Sequence, residues 1–305
     1  MRILVGIDGS EQADLACQFI ASRSWPLGTR VDLVSAFERP MDWSGMAPLA
    51  RGPEEDDRAQ LEAILEERAG SLWRADLQVS TLVERGAAAD ILIGLARKEL
   101  ADLIVVGSRG LGPIASAVLG SVSAHLVDHA PCPVLVVRSP GATRMLLAID
   151  GTASSRDIPT VLSSWGHAFR GLPTEVISVA SRGSATAPRG LPEPPAETDL
   201  GAAYVFHERA AVEAADELNR RGWQASAITG VGKPEDEILI AAREYRADLI
   251  VTGSRGLGTL GRLVVGSLSH GLLMHARSSL LVIRGHVPAR TGEGVVVGSS
   301  APAAI

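Results

Sequence analysis

The tetrapeptide Gly-Ser-Arg-Gly occurs twice in this chain, at Gly107–Gly110 and Gly253–Gly256, and each copy is followed nine residues later by Gly-Ser, at Gly120–Ser121 and Gly266–Ser267. The resulting spacing, Gly-x2-Gly-x9-Gly-Ser, suits the capture of an anion. Glycines let the backbone close around a phosphate, and the residues after the last glycine open a helix whose first N–H groups have no partner of their own. Arg109 and Arg255 stand inside the loops, where a guanidinium either pairs with phosphate or stays solvated. Ser121 and Ser267 are either helix caps or phosphate donors, two roles that are compatible. A second pair of polar residues follows the first apolar run of each half, in Asp8-Gly9-Ser10 and Asp150-Gly151-Thr152. A carboxylate there either caps the next helix or accepts hydrogen bonds from the hydroxyls of a sugar.

The chemistry these residues lack is equally informative. The loops do not end in Gly-Lys-Ser or Gly-Lys-Thr, so the lysine and hydroxyl that support γ-phosphoryl transfer in common nucleoside triphosphatases are missing. No Gly-x-Gly-x-x-Gly follows the first strand, which disfavours a dinucleotide-dependent oxidoreductase. His129 and His275 correspond between the two halves, but each closes a helix, where an imidazolium complements the helix dipole. No Ser/His/Asp or Cys/His set recurs in both halves.

The elements that must position these residues alternate. Apolar, β-branched runs are expected as strands at Arg2–Ile7, Arg30–Phe37, Asp76–Val83, Asp102–Val106 and Pro133–Val137. Helical segments are expected between them at Glu11–Ser24, Pro53–Ser71, Ala87–Glu99 and Ser121–His129. The second half repeats the order: strands at Arg144–Ile149, Thr174–Val179, Gln224–Thr229, Asp248–Thr252 and Leu280–Ile283, and helices at Ala153–Phe169, Leu200–Arg221, Pro234–Tyr245 and Ser267–His275. This is the pattern of a parallel sheet covered on both faces. At a constant offset of 146, Gly107–Arg138 and Gly253–Arg284 share 16 of 32 residues without a gap, which marks an internal repeat. We therefore expect one domain over 1–140, a second over 141–286, and a disordered tail over 287–305. In an open parallel sheet, ligands bind beyond the carboxyl ends of the strands where the strand order reverses. The aspartates, the glycine loops and the ends of the second strands, near Ala36–Phe37 and Val179–Ala180, all fall at such ends. The crevice they would share is of nucleotide size.

Composition narrows the class. The chain has 305 residues, 46% of them hydrophobic, yet no uncharged apolar run reaches the roughly 18 residues that a membrane span requires. The opening Met1–Asp8 reads as a strand and not as a signal peptide, so a cytoplasmic location is expected. Up to Ala142 the chain carries 13 basic against 19 acidic residues and beyond it 16 against 16, which leaves no basic surface for nucleic acid. Cys17 and Cys132 both lie in the first repeat, against a disulfide framework or a metal set. Structural thiols are expected, with a redox role for Cys132, between Pro131 and Pro133, as the alternative.

Taken together, Asp-Gly-Ser after strand one, the duplicated glycine loop after strand four, and Gly-Ser-Val-Ser-x5-His-Ala-Pro-Cys-Pro-Val-Leu-Val-Val-Arg at Gly120–Arg138 resemble the universal stress protein family in its tandem two-domain form. The resemblance runs from about Arg2 to Arg284. It implies an α/β architecture of two Rossmann-like domains, of the adenine nucleotide α-hydrolase-like type. Each domain would be a five-stranded parallel sheet of order 3-2-1-4-5 flanked by helices. It also implies bound ATP, with Mg²⁺ left open. Carried over residue by residue, the ribose contact maps to Asp8 and Asp150, with Ser10 and Thr152 beside them. The phosphate loop maps to Gly107, Arg109, Gly110, Gly120, Ser121, Val122 and Ser123, and to Gly253, Arg255, Gly256, Gly266, Ser267, Leu268 and Ser269. Ala36 and Val179 would face the adenine through their backbone, and Val83 would line the pocket. The Pro-rich stretch at 181–198 and Arg277-Ser-Ser279 depart from the first half and bear on the adenine side of the second.

In the family the fifth strand often joins domains, so Val134–Val137 and Leu280–Ile283 are expected to pair within the chain as a pseudo-dimer, with homodimerisation as a further option. The leading expectation is an ATP-binding stress-response sensor or regulator with one site per domain and no catalytic residue. Its rivals are a slow ATPase or nucleotidyl transferase on the same scaffold, and a nucleotide-independent protein scaffold.

Overall fold

The computed structural model describes residues 1–37, 54–73, 77–110, 120–181, 200–254 and 267–284. In chain order, the first half runs β1 (Arg2–Gly6), α1 (Glu11–Ala21), β2 (Thr29–Phe37), α2 (Glu54–Leu72), β3 (Leu77–Arg85), α3 (Ala88–Lys98), β4 (Leu103–Gly107), α4 (Ser121–His129) and β5 (Val134–Val137). The second half runs β6 (Met145–Ile149), α5 (Ala153–Arg156), α6 (Ile158–Ser164), β7 (Thr174–Ala180), α7 (Leu200–Arg220), β8 (Ala225–Val231), α8 (Pro234–Glu244), β9 (Leu249–Gly253), α9 (Ser267–His275) and β10 (Ser279–Ile283). The expected tail over 287–305 lies outside the described residues.

One sheet of ten strands results, in the order β3-β2-β1-β4-β5-β10-β9-β6-β7-β8. Each half is a parallel 3-2-1-4-5 arrangement, and the order reverses between β1 and β4 and again between β6 and β9. The apolar runs of β1, β4, β5, β9 and β10 are buried on both sides, which explains why they read as continuous hydrophobic stretches. Alternate residues feed two cores. Ile3, Val5, Leu103 and Val105 face α1 and α2, while Leu4, Ile104 and Val106 face α3 and α4.

The two halves form a continuous body. β5 and β10 pair antiparallel, with Leu135 opposite Leu281, so two apolar edges close on each other. The strand ends are tied across the junction. Arg138 donates from its backbone N–H to Ser279 Oγ at 3.0 Å and from its guanidinium to the Leu273 carbonyl, while the Arg284 guanidinium donates to the Val127 carbonyl. On one face Phe169 gathers Trp25 at 5.9 Å, edge-on, and Phe19 at 6.3 Å, joining the halves a second time.

Asp102 and Asp248, each opening the run Asp-Leu-Ile-Val before a glycine loop, do structural work at the far end of the sheet. Asp102 accepts from the Arg2 N–H at 2.6 Å, and Asp248 accepts from the N–H groups of Thr143 and Arg144 at 2.8 and 3.0 Å, pinning strand four to the start of strand one in each half. One expected element differs. The helix read as Ala153–Phe169 is broken into α5 and α6 and ends at Ser164. Pro159 supplies no N–H and its ring opposes the carbonyl one turn back, so the helix cannot run through it.

Candidate functional site

The turn after β1 holds the first polar group. Gly9 takes φ = +80°, a left-handed backbone that glycine adopts without strain, and Gly151 takes +75° at the equivalent turn. The turn folds Asp8 back over Ser10: Asp8 Oδ1 accepts from the Ser10 N–H at 3.0 Å and from its hydroxyl at 2.6 Å. Ser10 Oγ in turn accepts from the Ala13 N–H and caps α1. The second half repeats the device. Asp150 Oδ1 accepts from the Thr152 N–H and hydroxyl at 2.9 and 2.6 Å, and Thr152 caps α5. The hydroxyl residues are the caps, so the aspartates are not needed for that purpose; they brace the cap through one carboxylate oxygen.

The loop after β4 closes on Asp8. A Cβ at Gly110 would strike Asp8 Oδ2, so a side chain there would push the carboxylate aside. Gly120 precedes α4 as its N-cap residue without any side-chain cap. Ser121 is the first helical residue and not the cap, and Ser123 turns its hydroxyl back to the Gly120 carbonyl at 2.9 Å. The first N–H groups of α4 therefore open on the same crevice as Asp8, and an uncapped helix N-terminus attracts negative charge.

These parts line a cleft of about 770 Å³ at the switch point between β1 and β4. Its walls include Asp8, Ser10, Ala36, Gly107, Arg109, Gly110, Gly120, Ser121, Val122 and Ser123. Ten of the eleven residues singled out in the first half thus converge. The exception is Val83, which is buried in the core beside α1 and α2 and does not line the cleft: β3 lies two strands from the switch point and Val83 points to the core face. Arg109 adds positive charge. It lies close enough to Arg138 that, together with burial, it depresses the affinity of the Arg138 guanidinium for its proton.

A second cleft, of about 840 Å³, lies at the matching point between β6 and β9. Asp150, Val179, Gly253, Ser267 and Leu268 line it. Thr152 and Ser269 do not. Thr152 is turned to its cap, and the buried Ser269 donates to the Gly253 carbonyl at 3.1 Å. Arg255, Gly256 and Gly266 lie outside the described residues.

The second cleft also contains groups that the sequence reading missed: His207 of α7, and Lys233 and Glu235 at the start of α8. His207 is 6% exposed, and its Nδ1 sits 2.8 Å from Ser178 Oγ. Burial lowers its pKa from the ordinary histidine value while Asp150 pulls it upward. The signal was available, because the offset of 146 that aligns the glycine loops also aligns His207 with Leu61, an apolar residue. His275 does not simply finish α9; its Nδ1 meets Glu235 Oε1 at 2.7 Å and ties α9 to α8. His129 lies 3.1 Å from the His125 carbonyl and stacks on the His125 ring.

Both thiols are buried, and desolvation pushes each up to about 12, so neither is a reactive thiolate at neutral pH. No helix among the described residues is long and apolar enough to cross a membrane.

With this geometry in hand, comparison with known proteins is specific. The chain matches the model of the universal stress protein family over residues 1–138 and again over 142–284. It is 28% identical over 302 residues to a universal stress protein of Mycobacterium tuberculosis, covering 92% of this chain and 96% of that protein. A universal stress protein of Thermus aquaticus is 36% identical over 137 residues, 45% of this chain and 97% of the relative. Among solved structures, a universal stress protein from Archaeoglobus fulgidus shares the fold with a TM-score of 0.63 at 18% identity, covering 93% of this chain and 98% of its own.

Proposed function

Since the chain belongs to the universal stress protein family, we propose that it is an ATP-binding regulator with one nucleotide site in each half. The observation that carries this reading is the first cleft. There a helix N-terminus without a side-chain cap, a glycine loop that closes against Asp8, and Arg109 face one crevice of nucleotide size. The N–H groups at the start of α4, with Arg109, would hold the phosphates. Asp8, already oriented by Ser10, would accept from the ribose hydroxyls, and the backbone at Ala36 would face the base. Asp150, Ser267 and Val179 would take the same roles in the second cleft.

A regulatory role is favoured over turnover by what lines the first cleft. Its ionisable side chains among the described residues are Asp8, Glu11 and Arg109, with no lysine to meet a γ-phosphate and no histidine to activate water.

Isothermal titration of the full chain should give close to two ATP per chain, and Gly110→Val and Gly256→Val should each remove one. Repeating the titration in chelator decides whether Mg²⁺ takes part. Binding by neither half would end the reading, whereas steady phosphate release lost in Asp8→Ala and Asp150→Ala would turn it toward a slow ATPase.

A further inference from the structure

Among the described residues, the second cleft is lined by three ionisable groups that the first does not match, His207, Lys233 and Glu235, and of these His207 is the most deeply buried. In the first half, Ser35 Oγ donates to the Ile7 carbonyl at 2.6 Å, and the α2 position that aligns with His207 is the apolar Leu61, packed against the core. In the second half, Ser178 Oγ donates in the same way to the Ile149 carbonyl at 3.0 Å, and His207 sits on top of it. A serine hydroxyl has one proton. With that proton on the Ile149 carbonyl, Ser178 Oγ can only accept, so His207 Nδ1 must be the donor. In the neutral ring the other nitrogen, Nε2, then carries a lone pair, and no partner takes it among the described residues. His207 lines the second cleft, and a ligand held there is where a donor for that lone pair can come from.

We infer that His207 Nε2 is a ligand-reading acceptor that makes the second cleft select a nucleoside by a hydrogen-bond donor, either a sugar hydroxyl or an exocyclic amine, which the first cleft does not read in this way. The inference rests on the nucleotide reading proposed above and goes beyond it, because it makes the two sites unequal. The ring is held: Nδ1 is fixed by Ser178, and the Phe206 ring stands edge-on to the imidazole at 5.2 Å. Among the described residues, the ionisable groups sharing the cleft with His207 are Asp150 at the end of β6 and Lys233 and Glu235 at the start of α8. Protonation of His207 replaces the lone pair with a donor, so recognition of a donor group requires the neutral ring, the form that burial favours.

The test is a titration of the full chain with ATP and with three analogues, 2′-deoxy-ATP, 3′-deoxy-ATP and the 6-unsubstituted purine riboside triphosphate. The comparison is between the wild type, His207→Leu and His207→Gln. For wild type, one analogue should bind one of the two sites about tenfold more weakly than ATP, identifying the donor. His207→Leu should weaken ATP about tenfold at that site, leave the same analogue unchanged, and leave the other site untouched. His207→Gln, which keeps an amide donor for Ser178 and an acceptor for the cleft, should recover part of the loss. Between pH 7.5 and 5.5, ATP binding at that site should weaken in wild type and stay level in His207→Leu. Equal ATP affinity in wild type and His207→Leu would overturn the inference, as would a variant that weakens ATP and all analogues alike, the signature of a merely structural role. Wild type that binds ATP at neither site would instead refute the nucleotide reading, and this inference with it.

Discussion

The two halves carry the same glycine at the end of strand four, yet the structure gives Gly107 and Gly253 different physical duties, and an alanine at each should separate them. A Cβ at Gly107 would lie 2.8 Å from the backbone carbon and oxygen of Gln12, in the first turn of α1. Those atoms belong to a continuous helix and cannot swing aside, so α1 must retreat by about half an ångström or more from the strand it covers, at a cost of about 1–3 kcal/mol. At Gly253 the nearest group among the described residues is the Ile158 side-chain tip at 3.8 Å, an ordinary contact. Gly253→Ala should therefore be neutral or stabilising by up to about 1 kcal/mol, since alanine narrows the unfolded ensemble. For a domain of this size each kcal/mol moves the melting temperature by about 2–4 °C. Gly107→Ala should melt about 2–12 °C below wild type and Gly253→Ala at or slightly above it, read by tryptophan fluorescence and circular dichroism with urea titration as a second axis. Equal losses in both variants, or a greater loss from Gly253→Ala, would refute the packing argument.

Two further outcomes follow from buried ionisable groups. His207 has a folded pKa below its ordinary 6.5, so the unfolded chain binds the extra proton first. Stability should be complete above pH 6.5 and decline as pH falls below it, by at most about 1.4 kcal/mol per pH unit from this group, and His207→Leu should flatten that part of the curve. Cys17 and Cys132, with thiols pushed up to about 12, should resist a thiol reagent at pH 8 in the folded chain and both react once it is unfolded. Rapid labelling of Cys132 in the native state would revive a redox role for it.

The fold was legible because its signals are local and duplicated. Apolar runs such as Leu103–Val106 announce strands buried on both faces, and Gly-Ser at Gly120–Ser121 announces the start of a helix that the structure places at Ser121. The break in the helix after β6 was visible in Pro159 but outweighed by the apolar periodicity around it, which continues through Trp165, Ala168 and Phe169 because these residues remain core after the helix ends. The first cleft was legible for the same reason as the fold, since its residues sit at strand ends whose order the repeat pattern dictates. Val83 was misplaced because membership of a strand does not say which face a residue supplies, and β3 stands too far from the switch point for an inward residue to reach the crevice.

What duplication hides is divergence between the copies. Matching halves draw attention to positions that agree, yet the two sites can differ in chemistry only where the copies disagree. His207 opposite Leu61 is such a position: α7 and α2 pack on the sheet in the same way, with Leu218 and Leu72 both fully buried, so the change from Leu to His alters the group offered without altering the frame. A buried histidine in place of leucine costs desolvation unless both ring nitrogens are met. Ser178 meets one, Nδ1 donating while the Ser178 proton stays on the Ile149 carbonyl, and the second can be met from the cleft. The residue therefore separates two accounts of the tandem chain. Two equivalent sites predict that His207→Leu leaves nucleotide preference unchanged, and two specialised sites predict that it removes the second cleft's preference for the donor group that His207 reads.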